Sequence, residues 1–482
     1  MRRSTLVATG ALGAWSLLGG CAGSGDSSNG VSGGAGVSSA GTPSGVAAGA
    51  GIAAGQASAL GGSGGDFAGE PGGAGEGELG AGAAGNADSG SAGHAGMGSA
   101  GQPATPPFSV RAVFGVPPDN LGAQDPTIEN EILRYVAGVP AGGSIRVAMY
   151  YWNRDNVADA LVAAQARGVH VYVVSDGNVD YVPSLARLEG KIEKLVRCGQ
   201  PSMGTACIGT ASYSTQHNKL FLLSSSVLSG VAHDEVAIVS SQNLTWGELT
   251  QHENALIFEE DSALYAFYTA YFDDLLNQRA NADYYNVADG KGGLKGLLPS
   301  SESGASVYLS PRLSSTSTLT AEAKTDTVAL ELARMTKFES GCSVSAIQSD
   351  IKPERQAVLD QLLRIAALGC QVRIVYDDVD PAVLSTLGFD EGSKAVPHLT
   401  GKHYNIPVTV GASPYTVTVH SKYFLMKGYI DGKAGQVRTY SGTQNWLISA
   451  LRANDENLIK LADSAVFAAF DANFATVWGK AP

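Results

Sequence analysis

"NVADALVAAQARGVHVYVVSDG", residues 156–177, decides the reading of the fold. Val157, Leu161 and Ala164 recur at helical spacing, and Gly168 ends the run. From Val169 the pattern becomes a nearly continuous β-branched stretch, as in a strand buried on both faces. Upstream, "SIRVAMYYW" (144–152) also has strand character. Strand, helix, strand in that order predicts a parallel βαβ unit. The plan returns later in the chain. "CSVSAIQSD" (342–350) reads as a strand, "RQAVLDQLLRIAALG" (355–369) as a helix ending at a glycine, and "CQVRIVYDD" (370–378) as the next strand. An internal duplication accounts for the repeat.

Each unit is followed by an apolar segment carrying a histidine and a lysine two apart: "STQHNKLFLL" (214–223) and "TVTVHSKYFLM" (416–426). The helix-ending glycine lies 49 residues before His217 and 51 before His420. Residues two apart in a strand share a face, so His217 should project with Lys219, and His420 with Lys422. A second polar cluster follows: "SSQNLTWGE" with Ser241 and Asn243, and "SGTQNWL" with Thr443 and Asn445. Then come "HENALIF" with Glu253 and "DENLIKL" with Glu456. Histidine and asparagine are 26 and 25 residues apart, and histidine and glutamate 36 in both copies.

This duplicated set resembles the phospholipase D superfamily, over essentially all of residues 108–482. The family's motif is His-x-Lys-x4-Asp; here Ser224 and Lys427 stand at the aspartate position. The resemblance implies an α/β fold of two similar phospholipase D-like α/β/α halves, pseudo-twofold, with one active site at their interface. It implies a phosphodiesterase that needs no metal and no cofactor. Lys219, Lys422, Asn243 and Asn445 would face the non-bridging oxygens. One neutral imidazole would attack phosphorus and form a phosphohistidine, and the other would protonate the leaving oxygen. By family resemblance His217 is the nucleophile and His420 the acid. Glu253 and Glu456 would each accept a hydrogen bond from the far ring nitrogen of a histidine. Ser241 and Thr443 either bind phosphate oxygens or hold the loop. The substrate expected is a phospholipid, whose head group is hydrolysed or transferred. A secreted nuclease on the same scaffold and an inactive phosphate- or lipid-binding surface protein are the alternatives.

A single exposed histidine is more often incidental than catalytic, but the matching Asn and Glu offsets argue against chance for this set. His233 and His252 have no twins and are expected in solvent or loops, as are His170 on a strand and His398 and His403 in a loop. "LYAFYTAYF" (264–272) and "FAAFDANFATVW" (467–478) have the spacing of helix cores. Trp246 and Trp446 either wall the pocket or pack.

The first 21 residues combine Arg2 and Arg3, an apolar stretch and small residues, as a secretory signal peptide does. Their ending, "LLGGC", resembles a bacterial lipoprotein box, which implies a lipidated Cys21; ordinary cleavage near Gly19 or Ala22 is the alternative. Residues 22–107 are mostly Gly, Ala and Ser with six acids and no Lys or Arg, so a disordered linker is expected. The two halves are expected at 108–299 and 300–482. The formal net charge is −13; without Arg2, Arg3 and the six linker acids, −9 remains for residues 108–482. An acidic body does not by itself attract polyanions, so nucleic acid is less favoured than phospholipid as partner. Cys198 and Cys207 flank a short loop and are the expected disulfide; Cys342 and Cys370 either bridge two strands or stay buried thiols. No CxxC spacing points to a metal. The reading is of a monomer in the cell envelope or outside it, anchored through Cys21.

Overall fold

The computed structural model describes residues 108–117, 124–199, 204–314, 322–410 and 413–482. The expected signal peptide, the linker and Cys21 lie outside them. Seven strands form the first sheet: β1 (Ser109–Gly115), β2 (Ser144–Met149), β3 (His170–Ser175), β4 (Lys194–Arg197), β5 (Lys219–Leu228), β6 (Val231–Ser240) and β7 (Glu253–Glu259). Their order is β1-β7-β6-β5-β2-β3-β4. Helices α1 (Thr127–Gly138) and α2 (Asp155–Ala166) pack on its outer face, and α3 (Ser262–Leu276) on the other.

The second sheet contains β8 (Leu297–Leu298), β9 (Ser306–Ser310), β10 (Met335–Lys337), β11 (Ser343–Ile351), β12 (Gln371–Val379) and β13 (Leu399–His403). A separate hairpin, β14 (Asn405–Val410) and β15 (Ser413–Thr418), precedes β16 (Lys422–Ile430), β17 (Lys433–Gly442) and β18 (Glu456–Leu461). The order β13-β12-β11-β16-β17-β18-β9-β8 repeats that of the first sheet, with β9 in the place of β1 and β8 added at the edge; β10 pairs with β16. The helices of this half are α4 (Thr327–Leu332), α5 (Gln356–Ala367), α6 (Pro381–Leu387), α7 (Ile448–Arg452) and α8 (Ser464–Lys480).

The two βαβ units are as the sequence predicts: β2 pairs parallel with β3, and β11 with β12. Both crossover helices run into glycines in the left-handed region, Gly168 at φ +91° and Gly369 at φ +95°. Only glycine takes that turn without steric cost. Strand alternation then divides the core. Leu220 and Leu222 of β5 face the interior shared by the halves, while Phe221 and Leu223 face α1 and α2. In β16, Tyr423 and Leu425 face the shared interior, and Phe424 and Met426 the outer helices. The aromatic runs pack as expected. Tyr268, Tyr271 and Phe272 of α3 and Phe470 and Phe474 of α8 lie in the shared core. The Phe470 ring stands edge-on to Phe114 at 5.0 Å and to Tyr423 at 4.9 Å, touching both halves.

A buried ion pair recurs in the same place of each half. Arg154 binds Glu129 of α1 with two nitrogens, at 2.6 and 2.7 Å. Arg355 binds Asp326, the N-cap of α4, at 2.7 and 2.8 Å. Arg355 also donates to the Leu447 carbonyl at 3.0 Å, so it steadies the loop that carries Asn445. Both members of the Arg355–Asp326 pair are fully buried. Arg355→Ala should therefore cost about 3–5 kcal/mol, because it strands a buried carboxylate. Urea unfolding of the variant beside wild type measures that loss; a change below about 1 kcal/mol would contradict the reading.

Candidate active site

The chain enters β5 at Lys219 and β16 at Lys422, so His217 and His420 lie just ahead of the strands rather than inside them. This corrects the sequence expectation, and the reason is where the backbone bonds go. His217 N donates to Asp455 O of the second half at 3.0 Å, and His420 N donates to His252 O of the first at 2.9 Å. Ser421 N adds a second bond to His252 O at 2.8 Å. Asp455 and His252 hold equivalent positions, each directly before the glutamate that opens β18 or β7. Each histidine is thus fastened beside the glutamate of the opposite half.

The rings follow the backbone across. His420 Nδ1 and Glu253 Oε1 are 2.7 Å apart and hydrogen-bonded. His217 Nδ1 and Glu456 Oε2 are 3.1 Å apart but poorly aligned, so neither atom counts as satisfied. Lys219 Nζ donates to its own half's His217 O at 2.8 Å, and Lys422 Nζ to His420 O. Both lysines are buried. Burial pushes Glu253 up to about 7 and Glu456 up to about 8, with the two lysines pulling the other way. Burial also lowers His217 well below the usual imidazole range, and Lys219, Lys422 and His420 press it further down. His420 is lowered to about 3 by burial, with Glu248 opposing. Charge separation is costly here, and a phosphodiester anion entering the site would favour protonated imidazole.

The remaining polar residues divide less symmetrically. The Ser241 hydroxyl donates to Glu253 and accepts from Asn254 N at 2.9 Å. Thr443 accepts from Asn457 N at 3.1 Å. Both hydroxyls thus tie the loop to the strand that follows it, β7 for Ser241 and β18 for Thr443. Asn243 was expected to face a phosphate oxygen; its Nδ2 instead donates to Glu248, as does its backbone N, while its Oδ1 accepts from Tyr151 N at 3.2 Å. Asn445 is buried, and its Oδ1 has no hydrogen-bond partner among the described residues. At the motif's aspartate position Ser224 Oγ accepts from Ser144 N at 2.9 Å, and Lys427 is exposed on β16. Trp446 is buried, while Trp246 is 55% exposed with the Arg154 guanidinium 3.6 Å above its ring.

His252 is buried rather than solvated; its Nε2 meets Tyr404 Oη at 2.8 Å. His233 lies on β6 with Nδ1 3.1 Å from Glu259, and His403 ends β13 rather than lying in a loop. Cys198 and Cys207 are joined, and so are Cys342 and Cys370. Beside the first bridge, the Cys207, Ile208 and Gly209 amides donate to Asp455. Asp455, Glu248 and Tyr150, whose ring stands 4.8 Å from that of His217, escaped the sequence reading, and His252 was placed in solvent or a loop. For Asp455 and His252 a signal existed, since both directly precede the motif glutamates. Glu248 has none, because its counterpart is Ala450.

Glu248, Glu253 and His420 bring one ligating atom each within 4.8 Å of one another. These side chains already bond Asn243, Ser241 and one another, so their oxygens and nitrogen are engaged within the protein.

The family model described as "Cardiolipin synthase, PLD-like domain" matches residues 140–276 and again 339–478. The chain belongs to this family, within the phospholipase D superfamily, and each copy spans one βαβ unit with its His-x-Lys, Asn and Glu. Among solved structures it is similar to polyphosphate kinase from Porphyromonas gingivalis, at 13% identity and TM-score 0.45, over 77% of this chain and 50% of that one. It therefore spans half the length of that kinase. Phosphatidylserine synthase from Haemophilus influenzae matches at 11% identity and TM-score 0.45, over 72% of this chain and 83% of that one. Nuc from Salmonella typhimurium, a phospholipase D family member, matches at 21% and TM-score 0.26, over 36% and 95%. No curated protein matches the sequence.

The raised Glu456 carboxyl carries a prediction with a sign. A folded-state value above the unfolded one adds stability that is complete below the unfolded value of 4.5 and lost as pH rises through about 8. Glu456→Gln lacks that loss. It should match wild type at pH 4.5 and exceed it at pH 9, by on the order of a few kcal/mol. Chemical denaturation at both pH values tests this; an equal difference at both would refute the assignment.

Proposed function

We propose that the chain is a metal-independent phosphodiesterase that releases phospholipid head groups, by hydrolysis or by transfer of the phosphatidyl group to an alcohol. The observation that carries the reading is the pair of imidazoles, His217 buried and His420 partly so, each beside the glutamate of the opposite half, with the buried Lys219 and Lys422 next to them. His217 Nε2 attacks phosphorus as the bond to the head-group oxygen breaks. That oxygen takes its proton from His420. Water then attacks phosphorus, yields a proton to His420, and breaks the phosphorus–nitrogen bond, which restores His217. Lys219 and Lys422 supply fixed positive charge, and Asn445 an amide donor, for the non-bridging oxygens.

The body's net charge of −9 supports a lipid over a polynucleotide. Two disulfides support an oxidising compartment, and "LLGGC" supports a lipid anchor at Cys21 that holds the enzyme at a membrane.

Mixed phospholipid vesicles incubated with the chain in EDTA provide the test. Wild type should release head group, and His217→Ala should fall by at least roughly a thousandfold. Equal release by both would overturn the mechanism. Release by neither, with cleavage of single-stranded DNA by wild type, would replace the lipid by a polynucleotide.

A further inference from the structure

The pseudo-twofold gives both histidines the same partners, yet the chemistry needs one neutral imidazole and one protonated one. Something must tell them apart. Most of the site is duplicated: His217 with His420, Lys219 with Lys422, Glu253 with Glu456, Asn243 with Asn445. Glu248 is not, since Ala450 stands at its place in the second half.

Glu248 belongs to the short turn Gly247–Thr250 and is buried. Its Oε1 lies 3.6 Å from His420 Nδ1. Both its oxygens accept from Asn243, one from the backbone N and one from Nδ2. Burial raises the Glu248 carboxyl, while His420, Lys219 and the Asn243 hydrogen bonds pull it back toward the ionised form, in which both oxygens accept. His420 thus has two carboxylates at one ring nitrogen, Glu253 at 2.7 Å and Glu248 at 3.6 Å, and His217 has one.

We propose that Glu248 breaks the symmetry of the site: its carboxylate makes His420 the imidazole that holds the extra proton, and so leaves His217 as the nucleophile. This rests on the phosphodiesterase reading above. The nucleophile pair, His217 and Glu456, needs a single proton, kept on Nδ1 so that Nε2 presents a lone pair. The acid pair, His420 and Glu253, needs a second proton on Nε2 for the leaving oxygen. A fixed negative charge beside one pair settles which of them takes it.

The charged groups around His420 agree. It is faced by Glu253 from β7, Glu248 from the turn, Lys422 from the start of β16, Lys219 from β5, and His217. Burial lowers both rings, but Glu248 draws His420 upward, whereas the charges that act most strongly on His217 all push it down. Glu248 also fixes the Asn243 amide, through its backbone N and Nδ2, so the two asparagines are held differently. Glu248 is a positioning residue; it acts through His420 and Asn243.

The test compares two leaving groups and a pH profile, on the full chain. A phospholipid leaves as an alkoxide and needs the acid; a p-nitrophenyl phosphodiester leaves as a stable phenolate and does not. Glu248→Gln should lose roughly tenfold on the phospholipid and less than about threefold on the p-nitrophenyl ester. Loss of the acid's proton sets the basic limb of kcat/KM, and removing a neighbouring negative charge lowers that value. The basic limb should therefore move to lower pH by about half a unit or more. Glu248→Ala should repeat both effects, which guards against a folding defect peculiar to one variant. Equal losses on both substrates, or an unmoved basic limb, would overturn the inference while the phosphodiesterase reading stands. A wild type inactive on both substrates would overturn that reading, and this inference with it.

Discussion

Two backbone hydrogen bonds organise the molecule: His217 N to Asp455 O, and His420 N to His252 O. Each carries a histidine out of its own sheet and sets it beside the other half's glutamate. Neither half can therefore complete a His–Glu pair alone, and the site exists only when the halves are closed on each other. The shared core supplies the closing force. Apolar faces of both sheets and the aromatic helices α3 and α8 bury a common interior, an arrangement driven by removal of apolar surface from water. Polar ties across the same seam refine it, such as Asn457 Nδ2 to Asn218 Oδ1 at 3.0 Å and Asn254 Nδ2 to Ser441 Oγ at 2.6 Å.

Burial gives this arrangement its chemistry and its cost. Lys219, Lys422, Glu253 and Glu456 are all nearly inaccessible, and burying such groups is unfavourable unless they are paired. Each lysine has a histidine carbonyl, and each glutamate has a neighbouring donor, Ser241 for Glu253 and Asn454 for Glu456. Donors fixed in this way need little reorganisation when charge develops on a phosphate, which is the main source of electrostatic catalysis. The same groups are ones a protein optimised only for stability would replace by apolar side chains.

Much of this was legible in the sequence, because duplication made it so. Two helix-ending glycines, two β-branched strands and two His-x-Lys segments fixed the βαβ units and the candidate residues. The crossing of the pairs was not legible. Spacing along the chain gives equal offsets from His217 to Glu253 and from His420 to Glu456, which says nothing about which glutamate meets which ring. Glu248 was silent for the opposite reason: duplication cannot flag a residue that has no twin. His252 was misread on the same ground, since its backbone carbonyl, not its ring, holds the equivalent place to Asp455. Asn243 was misread because its position matches Asn445 while its amide is held by Glu248.

The central claim is that the two halves build one site in which a histidine carries the phosphoryl group. Rapid acid-free quenching of a turnover on 32P-labelled phospholipid, followed by peptide mapping, tests it most directly. The account predicts label on the peptide containing His217, stable in alkali and lost in acid. Head-group release with no labelled protein, or label mapped to His420, would contradict it.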